Sequence, residues 1–90
     1  LYPAALAGKA ASLEDLKRFK EAADIYLQAA AVKTDAFGYP GFRLDAARCY
    51  ELAGEVSKAK EQYELVKKNN PKTVFATQAE RGIAGLQAKS

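Results

Sequence analysis

At 90 residues the chain has room for one small domain, which buries roughly two thirds of its unfolded surface. A formal charge of +3 is far from a nucleic-acid-binding signature, and no apolar run approaches the roughly 20 residues of a membrane span. There is no histidine, the commonest general base and metal ligand, and the single Cys49 cannot close an internal disulfide. No signal-peptide pattern opens the chain and position 1 is not methionine, so the expectation is a piece of a longer protein. Abundant alanine and few β-branched residues favour helix.

The first predicted helix covers 3–16. Pro3 suits the first helical position, where a missing N–H costs nothing. Leu6, Ala10, Leu13 and Leu16 form its apolar stripe. Ser12 followed by Leu13, Glu14 and Asp15 resembles a capping start, but a continuous helix is preferred, with Ser12 bonding back to a carbonyl one turn earlier. Lys17 and Arg18 form a turn. The second helix covers about 19–33 with Phe19, Ala22, Ala23, Tyr26 and Ala29 inward. Glu21 and Asp24 in its first half and Lys33 at its end complement the helix dipole.

Residues 34–41 break the pattern. Gly38, Pro40 and Gly41 read as turn residues, and Phe37 and Tyr39 are expected to tuck under neighbouring helices. The third and fourth helices fold back on each other at Ala53, Gly54 and Glu55. Their facing stripes are Phe42, Ala46, Cys49, Tyr50 and Ala53 on one, and Val56, Ala59, Tyr63 and Val66 on the other. Neither buries its stripe alone. The last helix covers about 71–87, with Asn70 as N-cap and Pro71 in first position. Phe75, Ala79, Ile83 and Leu86 make its stripe. Gly82 and Gly85 inside it imply close helix contact or fraying.

An offset of 37 superposes the first hairpin on the second. It carries Ala10 onto Ala47, Leu13 onto Tyr50, Phe19 onto Val56, Ala22 onto Ala59, Tyr26 onto Tyr63 and Ala29 onto Val66. Alternating small and large residues are what two closely crossing helices need.

Ala47, Tyr50, Gly54, Ala59, Tyr63 and Pro71 stand at the spacing of tetratricopeptide repeats, helix–turn–helix units of about 34 residues that end in a proline. The first hairpin resembles the family through Ala10, Leu13, Ala22, Tyr26 and Ala29. It departs from it where Lys17 replaces the turn glycine and Leu6 the tryptophan-like opening residue. The resemblance implies an all-α fold: an α-solenoid of two hairpins plus a C-terminal capping helix, five helices in one domain. Repeat one covers about 3–36, repeat two about 40–71 and the cap about 71–87. Pro71, Thr73, Ala76 and Ala79 resemble a spacing seen in bacterial cell-envelope members, which implies a periplasmic address.

Little in the residues suggests catalysis. Cys49 lies on the buried side of its helix, and Arg48 points about 100° away from it. Glu51 and Glu55 are a turn apart, and Glu14, Asp15 and Glu21 offer similar pairs, but nothing shapes a pocket around them. There is no phosphate-cradling glycine loop and no zinc spacing, so neither cofactor nor metal is expected. The basic residues sit at turns and helix ends, and Glu55, Lys58, Glu61 and Glu64 are spaced for surface pairing.

The resemblance also places a ligand groove on the first helix of each hairpin. Carried over position by position, the groove falls on Ala7, Ala11 and Glu14 in unit one and on Leu44, Arg48, Glu51 and Leu52 in unit two. Gln78 and Arg81 join it from the last helix. Alanines give room, Leu44 and Leu52 apolar contact, and Arg48 and Arg81 charge for acidic groups. Ala7 and Leu44 stand where chaperone-binding relatives carry a lysine, so grip on a C-terminal carboxylate is not expected. Two functions remain open: a module that binds a protein or peptide along the groove, or an oligomerisation unit that self-associates by packing or exchanging helices.

Overall fold

A computed structural model describes residues 3–32 and 40–89, apart from the side chain of Lys89. Among the described residues the fold is all-α, with five helices and no strand: α1 Pro3–Asp15, α2 Phe19–Ala31, α3 Pro40–Leu52, α4 Val56–Asn69 and α5 Val74–Lys89. Each helix packs against its neighbours in the chain, and α3 also touches α5. Phe37, Tyr39 and Lys33 lie outside the described residues.

The two hairpin turns share one backbone geometry. Lys17 and Gly54, 37 positions apart, both take positive φ, at 60° and 81°. The next residues, Arg18 and Glu55, have φ −91° with ψ 67° and 69°. Arg18 N donates to Leu13 O at 2.9 Å, and Glu55 N to Tyr50 O at 2.8 Å. Glycine meets such a conformation without strain, whereas a lysine there carries a steric cost of roughly 1 kcal/mol. Unit one therefore makes the same turn as unit two without the residue that suits it.

The core is built from small residues around a few rings. Ala10, Ala22, Ala23, Ala46, Ala47, Ala59 and Ala79 are fully buried, and Cys49 and Val66 fill the spaces between them. Tyr26 and Tyr63 are each 6 % exposed, so the two copies of the repeat treat them alike. Alanine lets helix axes approach closely, and the tyrosine rings occupy the remaining volume. Three residues expected in the stripes are instead exposed: Leu16 at 65 %, Val56 at 45 %, and Ala53. Leu16 and Ala53 follow the last helical residues, so helical periodicity no longer sets their direction. Val56 is the first residue of α4, at the open end of its stripe.

Two helix starts differ from expectation. Pro40 and Gly41 are not turn residues but open α3, with proline in the first position where its ring is preorganised. The last helix starts at Val74 rather than 71, and its cap is Thr73 rather than Asn70. Thr73 Oγ1 accepts from Ala76 N at 3.3 Å while donating to Asn70 O at 2.6 Å. Asn70 terminates α4, its Nδ2 donating to Val66 O at 3.4 Å, and Lys72 takes a positive φ of 61° in the link. The helix ends otherwise fall within two residues of expectation. Ser12 does bond back, Oγ to Gly8 O at 3.2 Å, inside an unbroken α1.

Gly82 marks a close helix contact. A Cβ built there would lie 2.3–2.7 Å from Tyr63 ring atoms, inside any tolerable separation. Gly85 meets nothing within 4 Å, so the same explanation does not extend to it.

Candidate functional site

An open depression of about 410 Å³ lies between the first turns of α3 and α5. Pro40, Phe42, Leu44 and Asp45 line it from α3, and Phe75 and Gln78 from α5. Phe42, Leu44 and Phe75 are partly buried and pack on the core, so its floor is held in place from behind. Position fixes the floor: Pro40 starts α3 and Thr73 caps α5 just before these rings.

Beside the depression lies a charged network joining α1, α2 and α3. Arg48 grips Glu14 with both arms, Nη1 to Oε2 at 2.7 Å and Nη2 to Oε1 at 2.9 Å. Tyr26 OH donates to Glu14 Oε1 at 2.8 Å. Glu14 is thereby held near a pKa of about 2, chiefly by the arginine's hydrogen bonds. Asp45 also approaches Arg48 Nη2, at 3.6 Å, beyond hydrogen-bonding reach. Burial raises the Asp45 carboxyl above its ordinary value, more than Arg48 lowers it. Cys49 beside the network is pushed up to about 12 by burial, so its thiol is protonated at neutral pH and poorly nucleophilic.

The second unit repeats part of the network. Tyr63 OH donates to Glu51 Oε1 at 3.2 Å, the same twelve-residue separation as Tyr26 and Glu14. Burial pushes the Tyr63 hydroxyl up to about 12, so it remains a donor. Tyr50 OH reaches Asp24 Oδ1 at 2.7 Å, tying α3 to α2, and Arg43 Nη1 reaches Gln62 Oε1 at 2.7 Å, tying α3 to α4.

The predicted groove residues thus fall into separate groups. Leu44 and Gln78 meet in the depression. Glu14 and Arg48 bind each other, and Glu51 receives Tyr63, so these three serve the interior of the molecule as well as its surface. Ala7 packs partly on the core. Ala11 and Arg81 are exposed on α1 and α5. Leu52, 52 % exposed, ends α3 and lies by the first turn with Phe19 and Lys20, outside the depression. Asp45 and Phe75 are lining residues that groove reasoning from the sequence missed. An alignment of α3 with α5 would have flagged Phe75, since it follows Thr73 much as Phe42 follows Pro40.

No family model matches the chain, and no curated protein or solved structure shows significant similarity to it. Among the described residues, no group of three or more His, Cys, Asp or Glu side chains could hold a metal ion. Among those residues, too, no helix is long and apolar enough to cross a membrane. What the site offers is therefore an apolar floor with a carboxylate and an amide at its rim, a surface suited to binding a side chain.

Proposed function

We propose that the chain is a non-catalytic docking module of the tetratricopeptide type, which holds a peptide or protein segment against the faces of α3 and α5. One observation carries the reading. Phe42, Leu44 and Phe75 form a preorganised apolar depression on the side where the repeat resemblance puts a ligand. An apolar recess with a few polar rim groups is the usual form of a peptide anchor site. The repeated turn and the repeated Tyr–Glu bond support the repeat reading itself.

Peptides selected from a random display library test the proposal. A bound peptide is expected to move amide NMR signals at residues 42–45 and 75–78. Gln78→Trp, at an exposed position, is expected to block the recess and abolish binding without lowering the melting temperature. Peptides that map to the outer faces of α2 and α4, or that bind Gln78→Trp unchanged, would overturn it.

A second reading is self-association. Leu16, Leu52, Val56 and Val74 are large apolar residues left 45–65 % exposed, and a second copy would cover such surface. Light scattering from low-micromolar to near-millimolar concentration separates the two. A persistent dimer favours assembly, and a monomer favours docking.

A further inference from the structure

We infer that the depression between α3 and α5 accepts an apolar side chain carried next to a positive charge: a leucine or phenylalanine beside a lysine, an arginine or a free α-amino group. The inference rests on the docking reading above and adds the chemistry of the occupant. The floor selects the apolar part, because Phe42, Leu44 and Phe75 present carbon surface that gains by leaving water. The rim selects the charge.

One carboxylate, Asp45, lines the recess, and it shares the guanidinium of Arg48 with a second, Glu14, that lies beside it. Glu14 takes both arms of Arg48, at 2.7 and 2.9 Å. Asp45 is left 3.6 Å from Nη2, with its side chain 42 % exposed. The other arginine of α3, Arg43, keeps its charge but reaches Gln62 on α4 at 2.7 Å and does not line the recess. Arg81, a turn beyond Gln78, does not line the recess. Among the described residues the cluster therefore carries one negative charge in excess, on a carboxylate already partly stripped of water. A cation arriving with the apolar group would add a closer partner to the 3.6 Å ion pair with Arg48, and Gln78, which also lines the recess, carries an amide oxygen that can accept as well. The amino ends of α3 and α5 act the other way, with about half a positive charge each. Their influence fades within a turn and is open to water, whereas Asp45 carries a full charge at the rim.

Two probes of one shape and opposite charge provide the test: 2-phenylethylamine and 3-phenylpropanoate, each titrated at neutral pH into the isotope-labelled chain. Both are expected to move signals at residues 42–45 and 75–78. The amine should bind about fivefold more tightly, the scale of one partly exposed ion pair. Asp45→Asn should erase that difference and Asp45→Glu should keep it. The comparison on the unaltered chain stands even if a variant folds poorly. Equal binding of the two probes in the recess would overturn the charge preference and leave the docking reading intact. Tighter binding of the carboxylate would mean that the helix ends set the field, and would also overturn it. No response at these residues to either probe would overturn both readings. Signals there that move on dilution alone would assign the recess to a second copy, which overturns the inference as well.

Discussion

The first hairpin and the second are built on one plan and solve it with different residues. Both close through a left-handed turn residue, but unit one uses Lys17 and unit two Gly54. Both send a tyrosine hydroxyl to a glutamate twelve positions earlier, yet Glu14 is also clamped by Arg48 from the next unit, while the Tyr63 ring lies close against Gly82. Beyond the shared core, unit one is thus joined to its successor by polar contacts between side chains, Arg48 to Glu14 and Tyr50 to Asp24, and unit two by the close approach of a ring to a glycine. A repeat conserves the geometry of packing more strictly than the means of holding successive units together, because the core fixes volumes while the surface allows several polar solutions.

Four experiments break or sharpen this comparison. Tyr26→Ala and Tyr63→Ala should each cost about 3–5 kcal/mol in chemical denaturation, since each empties a ring-sized space in the core. Costs differing by more than about 2 kcal/mol would show that the two tyrosines are not equivalent. Gly82→Ala should cost about 1–3 kcal/mol, because the buried Tyr63 ring has no room to withdraw without losing Glu51. In a Tyr63→Ala background the same change should be neutral or stabilising, as alanine then adds only helix propensity. A cost that persists in that background would place the clash elsewhere.

The Glu14 carboxylate should make stability acid-sensitive. Its folded pKa of about 2 lies below the ordinary value of 4.5, so the ionised form is the one stabilised. The contribution is fully present above the ordinary carboxylate range and is lost as pH falls from about 4.5 towards 2. With Arg48 45 % exposed, solvent screening limits it to about 1–2 kcal/mol. Glu14→Gln should remove that amount at neutral pH and flatten the acid limb of the stability curve. An unchanged acid limb would remove Glu14 as its cause. The smallest effects belong to the turns. Lys17→Gly should stabilise by roughly 0.5–1 kcal/mol and Gly54→Ala should destabilise by about 1 kcal/mol, opposite signs from one backbone conformation. Matching signs would show that the two turns differ in solution.

Much of the fold was legible in the chain because packing leaves a periodic trace. The stripes through Ala10, Ala22, Tyr26, Ala59, Tyr63 and Val66 name residues that are buried. The trace fails where helices end, since Leu16, Ala53 and Val56 keep the right type and spacing but stand at or beyond helix limits. It also misplaced the last helix by three residues, because Asn70-Pro71 and Thr73 are both plausible starts. The choice fell to the one whose hydroxyl meets Ala76 N. The candidate site was half visible. Leu44 and Gln78 were named, whereas Asp45 and Phe75 matter only because α3 and α5 lie side by side.

The order of small and large residues by itself determined that the described residues form two similar hairpins and a fifth helix, because a stripe repeated every three or four residues gives each helix one face to bury. It could not determine which charges meet. Glu14 and Arg48 are 34 residues apart, and only the stacking of one hairpin on the next brings them to 2.7 Å. That stacking leaves Asp45 with a distant share of the arginine, and the packing of α5 beside α3 forms the recess next to it. Local periodicity reports what each helix must hide, while the pairing of polar groups depends on distances that exist only once the helices have assembled.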